Sequence, residues 1–281
     1  MEYRLCCVQH KENKYVEINK RFLTEEEFFK LKNAVDNINK FKLLYEVPYT
    51  LKCNYAEFLE YIKTKLPQSG SQLWNVNKKI LETNRLIFNL VSSLNAIESH
   101  YKKLLDEDDF NNDLKSNFIS KHYDESLEYR FLYQLRNYVN HSSVPATLAE
   151  FRFDSEINYD KVLANKESFV NDNVFKAEVK KDISEKYPDK IDISAIIQKE
   201  IPEYIKILLE YLSKYHIRIV HDINFIKEYQ KKLTKRVEIN SDTVIYGVAN
   251  PEVPNTLNLV LPVDFIKCYE NNELYADLNK S

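Results

Sequence analysis

Apolar positions recur along this chain at helical intervals over most of its length. The strongest run has Ile80, Ile87, Leu94 and Tyr101 seven residues apart, with Leu90, Ile97 and Leu104 filling a second seam. That spacing predicts a long amphipathic helix from about Gln72 to Leu105, packed against other helices and ended by the acidic stretch Asp106–Asp109. A second long stripe, Ile205, Leu208, Leu212, Tyr215, Ile219, Ile223 and Ile226, predicts a helix beginning near Ser194 or Pro202 and running into the basic cluster Lys231–Arg236. Between them, Leu127, Phe131, Leu135 and Tyr138 mark a helix from about Ser116 or Asp124 to His141, which Pro145 prevents from continuing far. Near the start, Thr24-Glu25-Glu26-Glu27 is a capping box ahead of Phe28, Leu31, Val35 and Ile38, and Asn54 is placed to cap a shorter helix bearing Phe58, Leu59 and Ile62.

The ends of the chain carry a different pattern. Tyr3–Val8 and Tyr15–Ile18 are short β-prone runs around a polar turn at His10–Asn13. Arg236–Asn240, Thr243–Val248 and Leu257–Val263 are also β-prone and are separated by turn-rich stretches containing Pro251 and Pro254. Residues 146–190 are mixed, with a strand expected at Leu148–Phe153 and a charged helix near Val174–Lys186, while Gln68–Ser71 forms a linker. The expectation is a mainly α protein in which the two β-prone ends pair into one small sheet. Three segments follow: 1–50, a hairpin and helix packing on the core; 51–235, a helical bundle; and 236–281, a β-rich C-terminal segment.

Composition removes several classes of function. The 281 residues include only two glycines, Gly70 and Gly247, too few for a phosphate loop or a dinucleotide fingerprint, both of which need several glycines close together. The net charge is −3, so contact with nucleic acid has to come from local basic groups. Cys6 and Cys7 are adjacent, and Cys53 and Cys268 lie far apart, without metal or redox spacing. They read as four reduced thiols of a cytoplasmic protein. The N-terminal residues lack the apolar core of a secretory signal, and no run approaches eighteen apolar residues, so no membrane span is expected.

One segment concentrates chemistry. Tyr129–Pro145 places Arg136, Asn137, Asn140 and His141 at the end of an amphipathic helix. Arg136 and Asn140 are four apart and share a face, as do Asn137 and His141, and neither face is the apolar stripe. An arginine can hold a phosphate in a bidentate fork, and a histidine can give or take a proton near neutrality. Together they suffice for a metal-free attack on an RNA phosphodiester. The same groups also have a purely structural use. Arg136 can pair with a carboxylate, and His141 can donate to the open carbonyls at the helix end.

Leu135-Arg136-Asn137-Tyr138-Val139-Asn140-His141, followed by Pro145, resembles the signature of the HEPN superfamily: an arginine, a polar residue, and a histidine four to six positions beyond the arginine. The resemblance covers about residues 72–230. It implies a HEPN-like helical bundle with long antiparallel helices, here with a small β element from the N- and C-terminal segments. It also implies a metal-independent endoribonuclease without a cofactor, acting as a toxin or anti-phage (abortive infection) effector. By the same resemblance, His141 transfers the proton, Arg136 stabilises the phosphorane-like transition state, Asn137 orients one of them and Asn140 assists. The 2′-hydroxyl is then the nucleophile, and the products carry a cyclic phosphate and a 5′-hydroxyl. The implied partners are an RNA substrate, a second copy forming a composite cleft, and an antitoxin or regulator. The alternative is a catalytically silent HEPN-like dimeric interaction or sensor module.

Other polar groups are weaker candidates. Ser92, Ser93, Asn95 and Glu98 form a polar flank suited to interhelical hydrogen bonds, and Glu98 is the one chosen to line a cleft opposite Arg136. His100 and His122 read as isolated surface or interfacial residues. His216 and His221 are five apart, which does not suit a metal pair. Lys78, Lys79, Arg85 and Lys231–Arg236 are basic groups able to steer RNA.

Overall fold

The computed structural model describes residues 2–12, 14–65, 73–106, 108–150, 161–234, 243–249 and 258–270. The expected linker Gln68–Ser71 and strand Arg236–Asn240 lie outside these residues, as does the second half of the strand expected at Leu148–Phe153. The protein is mainly helical, with a small antiparallel sheet built from both ends of the chain. The chain divides into two compact units, one of residues 1–45 and 212–281 and one of residues 46–211. These are drawn differently from the three segments read off the sequence, because the N- and C-terminal strands belong to one unit.

In the unit formed by the chain ends, β1 (Tyr3–Lys11) and β2 (Lys14–Leu23) make a hairpin with a bulge at Cys7/Val8. Strand β6 (Thr243–Ala249) joins the other edge of β1, and β7 (Asn258–Val260) completes the order β2-β1-β6-β7. Helix α1 (Glu25–Glu60) starts at the predicted capping box. The Thr24 Oγ accepts from the Glu27 N–H at 3.1 Å, and the Glu27 carboxylate accepts from the Thr24 N–H at 2.9 Å. Gly247 lets β6 come close to α1. A Cβ there would lie 3.2 Å from both the Phe28 ring and the Leu259 Cβ. The C-terminal part of a 42-residue helix, numbered α7 below, runs antiparallel to α1 in this unit. Asn37 bonds Asp222 at 2.9 Å, and Tyr229 bonds Glu27 at 3.0 Å.

The second unit is contiguous in sequence. Its elements are the end of α1, α2 (Leu73–Leu104), α3 (Lys121–Glu125), α4 (Leu127–His141), β3 (Leu148–Glu150), β4 (Lys161–Asn165), α5 (Lys166–Val170), α6 (Ala177–Lys186), β5 (Lys190–Asp192) and the first half of α7 (Ile193–Thr234). A final helix, α8 (Val263–Glu270), belongs to the other unit. Helices α1 and α2 are antiparallel here: Asn54 donates to Ser93 at 2.6 Å, and Arg85 meets Glu57 at 2.7 Å. Helices α2 and α4 are antiparallel as well. Asn84 lies at the loop after α4, and Glu98 lies midway along α4 beside Tyr133. The strands form a second sheet, β3-β4-β5, also antiparallel.

Three sequence expectations change. Asn54 does not cap a separate helix. α1 continues through Pro48 to Glu60, and the Asn54 amide is spent on the neighbouring helix instead. The helix ending at His141 begins only at Leu127, because Ser126 is extended (φ −112°, ψ 116°) and its hydroxyl caps the Tyr129 N–H. Residues Asp108–Ser120 before it form a π-helical segment, in which the Ser116 hydroxyl reaches back five residues to the Asn111 carbonyl. The strand expected at Leu257–Val263 is only Asn258–Val260, and Val263 opens α8 instead, whereas the last long helix starts at Ile193, one residue from the expected Ser194.

Two substitutions test these joints. Thr24→Ala removes one half of the capping box and is expected to cost about 1 kcal/mol in urea unfolding. Asn84→Ala should cost more, about 2–3 kcal/mol, because it leaves the buried Ala146 N–H and C=O without the amide that now bonds both.

Candidate functional site

The site is built where α4 crosses α2. On α4, Phe131, Leu135 and Tyr138 set the buried stripe, and Phe131 and Tyr138 pack with Phe169 at 5.1 Å each. That packing fixes the helix rotation and carries Tyr133 and Arg136 toward α2. Arg136 is only 9% exposed. Its Nη1 is 3.8 Å from the Glu98 carboxylate, its Nε donates to the Asn137 side-chain oxygen at 3.4 Å, and its guanidinium lies 4.1 Å over the Tyr133 ring. The Tyr133 hydroxyl donates to Glu98 at 3.4 Å. A buried arginine needs this much compensation, since an unpaired cation in such a position costs several kcal/mol, of order 3–5.

The pair Arg136 and Glu98, chosen from sequence as facing partners, is therefore brought together. His141 and Asn140 are not brought to it. Both are exposed at the C-terminal end of α4, and the Arg136 contacts run to Glu98, Asn137 and Tyr133 instead. His141 lies eight residues beyond Tyr133, about 12 Å along the helix axis.

Glu98 borders a cavity of about 540 Å³. Three lysines, Lys102, Lys115 and Lys176, and two tyrosine rings, Tyr123 and Tyr133, share its wall. Lys176 stands 6.0 Å over the Tyr123 ring. Burial pushes the Glu98 carboxyl above its ordinary range, and the nearby Arg136, Tyr133 and Lys115 offset only part of that. The arrangement suits a ligand that is anionic and carries a flat ring: lysines for the charge and tyrosine faces for the ring. Lys115, Tyr123 and Lys176 carry no local sequence signal, because they reach the site from the π-helical segment, from α3 and from the turn before α6.

His122 corrects the sequence reading. It is not isolated: its Nε2 lies 3.1 Å from the carboxylate of Glu200, which is 2% exposed, although the two are out of line for a hydrogen bond. The Tyr129 ring is 4.6 Å from His122 and stacks on Tyr204 at 5.2 Å. A polar interior thus backs the helix that carries Arg136. Of the other candidates, Ser93 makes the interhelical bond expected of the polar flank. Arg85 is engaged by two carboxylates, Glu82 and Glu57, each at 2.7 Å, and their hydrogen bonds hold it even more firmly protonated than usual. Burial lowers the affinity of His216 for its proton, and its ring lies 6.3 Å from Phe41. Lys232 lies 5.2 Å over the Tyr229 ring, whereas Lys235 and Arg236 fall outside the described residues. Among the described residues, no group of three or more His, Cys, Asp or Glu side chains is placed to hold a metal ion, and no helix is long and apolar enough to cross a membrane.

The raised Glu98 carboxyl has a measurable consequence. The folded state holds this proton more tightly than the unfolded chain does, so the contribution is full below pH 4.5 and is lost as pH rises through the folded value. Unfolding stability measured across that window should decline more in the wild type than in Glu98→Gln. Equal slopes would show that Arg136 fully compensates the buried carboxylate. Comparison with protein-family models, with curated proteins and with solved structures finds no match for this chain.

Proposed function

We propose that the chain is a HEPN-type, metal-independent endoribonuclease that acts as a toxin or anti-phage effector and works as a homodimer. The observation that carries this reading is a single helix, α4, that holds a clamped Arg136 beside a lysine- and tyrosine-lined cavity and ends in an exposed His141. Arg136 keeps donors to spare. A guanidinium has five N–H groups, and Glu98 and Asn137 face only part of that set. The clamp aligns the planar fork, so its remaining N–H groups meet phosphate oxygens without first being ordered.

In the proposed reaction His141 accepts the proton of the ribose 2′-hydroxyl, and the 2′-oxygen attacks phosphorus. The bond from phosphorus to the 5′-oxygen breaks, that oxygen takes a proton from water, and His141 returns the proton it accepted to solvent. The products are a 2′,3′-cyclic phosphate and a 5′-hydroxyl, and Arg136 neutralises the charge that builds on the phosphoryl oxygens. The lysines and tyrosines of the cavity hold a neighbouring nucleotide. The separation of His141 from the cavity along α4 is what calls for a second copy, so that the histidine of one chain meets the arginine of the other.

A second reading, the catalytically silent HEPN-like module, is favoured by one specific observation: Arg136 is buried and its charge is already met within the chain by Glu98. RNA cleavage in EDTA separates the two. His141 is exposed, so His141→Ala should fold normally. It is expected to reduce cleavage by about 10²–10⁴-fold, with cyclic phosphate ends on the wild-type products. Arg136→Lys keeps the charge and loses the fork, and should also reduce the rate. A folded dimer that leaves total RNA intact decides for the silent module.

A further inference from the structure

We infer that the second unit contains a separate binding site for a small phosphorylated ligand, formed by one face of the β3-β4-β5 sheet and the first turns of α7. The inference does not depend on the ribonuclease reading, since none of its residues touches the Arg136 cluster.

A cavity of about 390 Å³ lies there, a size usual for small-molecule sites. Side chains alternate along a strand, so Lys161 and Leu163 share one face of β4, as Lys190 and Asp192 do on β5. The register pairs Leu163 with Asp192 and Asn165 with Lys190. All four residues border the cavity, which makes this face of the sheet one wall. Lys199 on α7 and Tyr187 in the turn before β5 add to the lining.

The charges at this cavity do not cancel. Of its two carboxylates, Glu128 is taken up by Lys199 at 2.7 Å. Asp192 is taken up by the start of α7, accepting from the Ser194 hydroxyl at 2.5 Å and the Ala195 N–H at 3.0 Å. Lys190 then has no ion-pair partner among the residues whose side chains are described, while Lys161 stands opposite Glu150 in the β3–β4 register. The two lysines stand about four strand residues apart, or ~13 Å along the sheet, before their flexible side chains converge. Two lysines so spaced, on either side of Leu163 and the capped Asp192, fit a phosphate or diphosphate reached from both sides.

The cavity is also preformed. Lys166 ties down the turn that carries Tyr187: its Nζ donates to the Tyr187 carbonyl and pairs with Asp189, each at 3.1 Å, and its N–H donates to the Asp189 carbonyl at 2.8 Å. The Tyr187 ring packs 5.9 Å from Phe131, and its buried hydroxyl has no hydrogen-bond partner among the described residues.

Calorimetric titration of the full chain with pyrophosphate and with AMP tests the site. At least one should bind, and Lys161→Gln/Lys190→Gln should weaken that binding by about tenfold or more. Lys190 is exposed and Lys161 half-buried, and neither belongs to the apolar core, so the double variant should keep the wild-type melting temperature. Lys102→Gln/Lys115→Gln, at the other cavity, should leave it unchanged. The inference is overturned if neither compound binds, if Lys161→Gln/Lys190→Gln binds as the wild type does, or if binding is lost only in Lys102→Gln/Lys115→Gln.

Discussion

The burial of Arg136 against Glu98 is the constraint around which the second unit is organised. A guanidinium is taken out of water only when its charge and its donors are met, and here a carboxylate, an amide oxygen and an aromatic face share that task. Glu98 comes from α2 and the rest from α4, so the pair fixes the register of two antiparallel helices as well as their separation. Asn84 repeats the logic further along α2, bonding both polar groups of Ala146 in the loop that follows α4. A slip of one turn between these helices would break both interactions at once. It would leave a buried charge and two buried backbone groups without partners.

Behind this seam the interior is unusually polar for a helical core. Tyr129, Tyr204, His122 and Glu200 occupy the region between α4, α3 and α7, and burial raises the phenol of Tyr204 and holds that of Tyr129 well above the ordinary tyrosine range. Lys199 links this interior to the start of α4, lying 2.7 Å from Glu128 and 3.7 Å from Glu200. Polar groups of this kind specify one arrangement of helices more sharply than apolar packing does, because each misplaced partner leaves an unmet donor or acceptor.

Much of the local architecture was legible in the sequence. The heptad stripe of α2, the stripe of α7 and the capping box at Thr24 each depend on residues within a few turns of one another. Glu98 also lies beside Arg136, since a lone acid on the flank of one long helix is a natural partner for an arginine on the next. What escaped was long-range. Nothing near Asn54 reveals that α1 continues past Pro48, since the packing that sustains the helix comes from α2. Nothing near His122 announces Glu200, which is distant in sequence. The lysines and tyrosines of the cavity beside Glu98 come from three different elements and acquire meaning only when these are assembled.

The sheet that joins the chain ends carries a consequence for the order of events during synthesis. Strand β1 is central: it has β2 on one side and β6 on the other, with Tyr3 opposite Ala249. The β1–β2 hairpin can close as soon as it leaves the ribosome, but the other edge of β1, with Leu5, Cys6 and Cys7 fully buried in the finished protein, waits for nearly the whole chain. Contacts this distant in sequence form late and slowly. The contiguous unit of residues 46–211 can meanwhile complete its own core. The nascent protein therefore passes through a stage in which its helices are packed while an apolar strand edge is still open, and it is in that interval that a chaperone has most to protect.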